Sequence, residues 1–217
     1  MSKRRILILS VFIALASVSL LSTQSGYFKR LFEKFRSIEG RLTVADFDNG
    51  RKSDNLGGEI GPWDKDPADK TQGCRVDYSV DSMPEYGKCV KINYDVDSPN
   101  AAFNGFYMKL GGLDASAFEK FSFWIKGDPK KFKMELKNDS GESASTYITG
   151  CSAEWQRMEL PFSSLKTLKN RSGLTELVIV FEDDHTRPKT GSLYLDEVIL
   201  VKPEKPSDEK SAEKTKK

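Results

Sequence analysis

Histidine is almost missing from this chain: His185 is the only one among 217 residues. That scarcity excludes imidazole-rich metal centres and leaves acid–base chemistry near neutral pH a single candidate. His185 stands in FEDDHTRP behind Glu182, Asp183 and Asp184, a run that could hold a cation or tune a base but has the form of a turn leaving a strand. The sequence also has no G-x-S-x-G elbow, no phosphate-binding P-loop and no H-E-x-x-H helix. No enzyme is expected. Charge of one sign is equally lacking. The 34 basic and 32 acidic residues leave a net +2, which supplies no global field for nucleic acid.

Cysteine is sparse and odd in number: Cys74, Cys89 and Cys151, so at least one has no partner within the chain. A symmetric hairpin turning near Pro84–Gly87 would set Cys74 opposite Asp95 and Cys89 opposite Val80, a register that argues against a bond between them. Their spacing matches no zinc motif. Buried structural residues are the expectation.

Long apolar runs are confined to one place. After the basic MSKRR comes ILILSVFIALASVSLL (Ile6–Leu21), the layout of a signal peptide or signal anchor over residues 1–26. Export is expected, to a periplasmic or extracellular location. Next, over 27–40, Tyr27, Phe28, Leu31, Phe32, Phe35 and Ile38 recur at helical spacing against Lys29, Arg30, Glu33, Lys34 and Arg36. This amphipathic segment is either a membrane-surface helix or a stalk; membrane association would run through residues 6–38. At the other end, residues 202–217 hold two prolines and no large apolar side chain, the composition of a disordered charged tail.

Residues 41–201 read as about ten short strands parted by Gly, Pro, Asn, Asp and Ser, the pattern of a sandwich or barrel. Phe121, Phe123 and Ile125 alternate with Trp124 and Lys126; Phe132, Met134 and Leu136 with Lys133, Glu135 and Lys137; Phe106, Met108 and Leu110 with Tyr107 and Lys109. The apolar sets should meet in one core, and the polar sets should form one sheet face. ELVIVFED, apolar on both sides until Glu182, reads as a central, partly covered strand. Asp48–Cys74 is a long Gly- and Pro-bearing segment in which Trp63 is either a stacking platform or a private mini-core. Tyr194, Asp196 and Val198 alternate onto one face; if that face is interior, Asp196 needs a partner.

VADFD, LGGEIGPW, FEKFSFWIKGD, FKMELKN, EWQRMELPFSSL and YLDEVIL together resemble the family 11 carbohydrate-binding modules, and also the domain of complex I intermediate-associated proteins. Both are galactose-binding-like jelly rolls, and the resemblance spans about Leu42 to Val201. It implies an all-β jelly-roll sandwich whose first and last strands meet at a structural calcium. The matching positions are Asp48 and Asp196, with Asp46 and Glu197 as helpers. The alternative is that Asp196 accepts backbone N–H groups or pairs with a lysine. It also implies a poly- or oligosaccharide across the polar sheet face. Alternation offers Tyr107, Trp124, Lys126, Glu135, Lys137 and Glu182 as ligand-binding candidates, with Trp63 overhead. A scaffold using the same surface for a protein partner is the competing reading.

Overall fold

An alternating run such as KFKMELKN can bury only one of its two rows, so two such sheets must face each other to hide both apolar rows. The computed structural model describes residues 40–204. The apolar segment, nearly all of the amphipathic segment and most of the tail lie outside the described residues. The strands are β1 (Arg41–Ala45), β2 (Ile60–Asp64), β3 (Gly73–Asp81), β4 (Lys88–Asp95), β5 (Phe103–Leu113) and β6 (Lys120–Gly127). They continue as β7 (Lys131–Asn138), β8 (Ser143–Thr149), β9 (Gln156–Pro161), β10 (Leu174–Glu182) and β11 (Thr190–Val201). The helical content among the described residues is one 3-10 turn, Phe162–Ser164.

Two antiparallel sheets result. One runs β3-β4-β11-β6-β9 with β1 added on β11; the other runs β2-β5-β10-β7-β8. Along one edge of β11, β4 pairs residues 190–195 and β1 then pairs 198–201, so the first and last strands lie side by side. Phe121, Phe123 and Ile125 meet Phe132, Met134, Leu136, Phe106 and Met108 between the sheets, none more than 1% exposed. Each such side chain contributes about 1.5–3 kcal/mol on leaving water. Tyr94 stacks on Phe181 at 4.1 Å between centroids, and its hydroxyl donates to the Pro188 carbonyl at 3.1 Å.

Three expectations change. The segment Asp48–Cys74 contains a strand, β2, which carries Trp63 on a sheet edge rather than on a free loop. The polar rows do not share one face, because β6 belongs to the six-stranded sheet while β5, β7 and β10 belong to the other. Finally, alternation breaks inside β11. Leu193 and Leu195 enter the core, leaving Tyr194 and Asp196 on the outer side; a register shift between Asp196 and Ile199, with Glu197 at φ 49°, then returns Val198 to the interior. The cysteines are free and buried. Cys89 does oppose Val80, but a second shift between Asp77 and Val80 sets Cys74 against Tyr94 instead of Asp95.

Candidate functional site

β10 sits at the centre of the five-stranded sheet, so side chains of its outer row become the floor of whatever the neighbours wall in. Val178 and Val180 supply that floor. Across it, one cross-strand row reads Trp63, Gly105, Val180, Lys133, Tyr147, and the next reads Gly61, Tyr107, Val178, Glu135, Ser145. With strands about 4.8 Å apart, the first row spans about 19 Å from Trp63 to Tyr147. The groove encloses about 740 Å³. Trp63 and Phe103 close one end, edge to face at 5.9 Å. Gly105 lets the indole lie down: a Cβ there would stand 3.1 Å from Trp63 Nε1 and 1.9 Å from the Ile179 carbonyl oxygen. That Nε1–H finds no acceptor among the described residues.

The groove's charges are paired. Glu176 meets both Lys109 and Lys137, at 2.5 and 2.7 Å, and Lys137 also approaches Glu135 at 3.7 Å. Lys133 meets Glu182 at 2.6 Å. Burial pushes the Glu176 carboxyl up, but hydrogen bonds from the two lysines outweigh it and hold the group below its ordinary range. Tyr107 donates to Glu59 and Tyr147 to Glu182, each at 2.9 Å. Burial first, then those carboxylates, push both phenols up to about 12, so both remain donors.

A second polar cluster lies where β1 meets β11. Asp196 is fully buried although it leaves the outer side of its sheet. The tip of the β3–β4 hairpin folds over it, with the Ser82 hydroxyl donating to one carboxylate oxygen and the Glu197 N–H to the other. Asp48 clasps the same tip by accepting the Lys88 N–H at 2.8 Å. This contact requires Gly87, whose Cβ would lie 1.7 Å from Asp48 Oδ1. Burial, then Glu197 and Asp48, push Asp196 up to about 7 against the opposing hydrogen bonds from Ser82 and Glu197. Glu197 is raised too, by burial and then Asp46 and Asp48, with Arg157 and Arg41 opposing. Among the described residues no three His, Cys, Asp or Glu side chains converge closely enough to hold a metal as they stand. The donor set nonetheless suits a hard cation: these are mutually repelling carboxylates, and among the described residues Asp196 has no cation within ion-pair distance.

Five of the expected ligand-binding residues therefore line one groove: Trp63, Tyr107, Glu135, Lys137 and Glu182. Trp124 and Lys126 do not join them. They face out from the other sheet, Trp124 against Tyr86 and Arg157, Lys126 against Trp155 and Tyr194. Residues lining the groove that were not among the ligand-binding candidates are Phe103, Lys109, Lys133, Glu176, Val178 and Val180. Glu176 was within reach, since it stands six residues from Glu182 on the same strand and so shares its face. His185 occupies the turn after β10, its N–H on the Glu182 carbonyl at 3.1 Å and its ring 5.2 Å from Tyr147.

No protein-family model and no curated protein sequence matches the chain. Solved structures do match in fold. The family 11 carbohydrate-binding module of the cellulosomal cellulase Lic26A-Cel5E of Clostridium thermocellum gives a TM-score of 0.57 at 17% identity, over 76% of this chain and 95% of that one. The family 11 module from Clostridium thermocellum in complex with a β-1,3-1,4-mixed-linked tetrasaccharide gives 0.56 at 18%, over 75% and 96%. A family 30 carbohydrate-binding module gives 0.51 at 17%, over 81% and 93%. The architecture is thus the jelly roll of these modules.

Proposed function

We propose that the chain is a non-catalytic carbohydrate-binding module that holds a stretch of glycan in the groove of its five-stranded sheet. The observation that carries this reading is the groove's composition. An apolar floor and a Trp63–Phe103 end offer surface to the C–H faces of sugar rings, while phenol donors and paired carboxylates at the walls meet hydroxyls. The ion pairs hold these polar groups in place before a ligand arrives, which reduces the ordering cost of binding. Catalysis is disfavoured by the same pairs: a general acid needs a raised carboxyl, and Glu176 is held low. The test is calorimetric titration of the full chain with soluble mixed-linkage β-glucan and other neutral glycans. Binding that weakens on Trp63→Ala and on Tyr107→Ala supports the reading. Silence across the panel, with a protein co-purifying through the same groove, would favour a scaffold.

The junction of β1 and β11 is proposed to take a structural calcium, held by Asp48 and Asp196 with Asp46 and Glu197 assisting. Bound there, the cation would supply the positive charge that these carboxylates lack. A ligand specific to the folded state adds about 2.7 kcal/mol at a hundredfold excess over its Kd, so calcium should raise Tm by several degrees in chelator-treated protein. Indifference to both chelator and calcium would remove the site.

A further inference from the structure

The central cations of the two outer faces are treated in opposite ways, although Lys120 at the start of β6 does pair with Glu159 of β9. In the groove, Lys109, Lys133 and Lys137 are each ion-paired to a glutamate. On the outer face of the six-stranded sheet, a row of Lys91, Tyr194 and Lys126 crosses β4, β11 and β6, with Asp77 of β3 at its end. Among the described residues, none of Lys91, Lys126 and Arg157 makes an ion pair. Asp77 is the register partner of Lys91, yet no ion pair joins them. The cations lie over aromatic rings instead. Lys91 and Lys126 flank Tyr194 at 5.5 and 4.7 Å from its centroid, and Lys126 is also 5.0 Å from Trp155. Arg157 covers Trp124 at 5.5 Å. Trp155 meets Tyr194 edge to face at 6.3 Å. The carboxylate of Asp196, on the same side, is fully buried and is spent within the junction.

We propose that this second face, centred on Tyr194 between Lys91 and Lys126, binds an acidic glycan, one whose sugars carry carboxylate groups. The chemistry is complementary on both counts. Half-buried aromatic rings offer surface to sugar C–H groups, and ammonium groups with no ion-pair partner among the described residues meet the carboxylates. Nucleic acid fits less well, because a net charge of +2 gives no field to gather a polyanion of that density. A membrane surface calls for protruding apolar side chains; of the exposed large hydrophobics Leu56, Tyr86, Phe103 and Tyr147, Tyr86 alone packs against an aromatic of this face, Trp124, while Phe103 and Tyr147 stand on the groove face. The proposal does not depend on what the groove binds.

The experiment is titration of the full chain with polygalacturonate, beside neutral mixed-linkage β-glucan as comparator. Polygalacturonate binding should weaken at least tenfold as salt rises from about 0.05 M to about 0.5 M, through screening. It should weaken at least tenfold in the Lys91→Ala/Lys126→Ala double variant, survive in Lys91→Arg/Lys126→Arg, and survive Trp63→Ala. The β-glucan titration of the double variant should match that of the unaltered chain. The proposal is overturned by no polygalacturonate binding at low salt, by binding the double alanine variant retains, or by binding lost in Trp63→Ala. Tighter binding of phosphatidylglycerol vesicles or of a single-stranded oligodeoxynucleotide through the same two lysines would overturn it as well.

Discussion

Glu176 and Asp196 are both poorly exposed carboxylates on strands, yet they titrate in opposite directions. Glu176 stands between Lys109 and Lys137, and its pKa falls. Asp196 has a serine hydroxyl and a backbone N–H for company, with acidic Glu197 and Asp48 nearby, and its pKa rises to about 7. Burial acts on both in the same sense; the difference is whether the chain supplies the counter-charge. The groove is electrostatically closed in itself, each of its lysines being matched by a glutamate. The junction has no such counter-charge at Asp196 among the described residues, so protonation relieves the repulsion between its carboxylates.

The sharpest way to break this comparison is a pH series of thermal melts in chelator. A raised carboxyl means that the folded chain holds protons more tightly than the unfolded one. Asp196 therefore contributes its stability in full below the unfolded value of 3.8, and loses it as pH rises through about 7. The loss between those limits is on the order of 4 kcal/mol. Glu176, being lowered, contributes above its unfolded value and loses that contribution as pH falls through the folded one. Calcium-free protein should thus be most stable in mildly acidic solution, and Asp196→Asn should flatten the alkaline side. An unchanged Tm across the neutral range would contradict the assignment.

The next largest effect concerns ligand and not stability. Trp63→Ala should weaken β-glucan binding at least tenfold, about 1.4 kcal/mol, and Asp196→Asn at pH 7 should leave it unaltered if the two regions are independent. A third test uses sign. Glu176→Gln should destabilise the fold by about 1 kcal/mol, because it uncouples two lysines. Asp196→Asn in chelator at pH 8 should stabilise it. Two shifts in the same direction, measured by denaturant titration, would end the contrast. The smallest expected effect is at Asp81, whose exposed carboxylate pairs with Lys88; Asp81→Asn should leave Tm unchanged.

Much of the fold was legible because period-2 alternation translates directly into burial. Phe132, Met134 and Leu136 are in the core and Lys133, Glu135 and Lys137 are out, as the spacing of KFKMELKN requires. ELVIVFED is the central strand its double-sided apolarity suggested. Reading failed where a backbone irregularity intervened. The bulge at Glu197 moved Val198 to the opposite side from Asp196, and the shift in β3 moved Cys74 by one place. β2 escaped notice because Gly61 and Pro62 interrupt it, and an edge strand tolerates both.

By itself the amino-acid sequence determined which side chains of each strand share a face, since alternation is a local property of the pleated backbone. It could not determine which strands share a sheet, since pairing is settled by contacts between residues far apart in the chain. Tertiary structure alone decided that Tyr107, Glu135, Lys137 and Glu182 gather in one groove with Trp63, while Trp124 and Lys126 stand on the opposite face. It also decided that Asp196, pointing outward, is nonetheless buried, because a hairpin tip more than a hundred residues earlier folds over it.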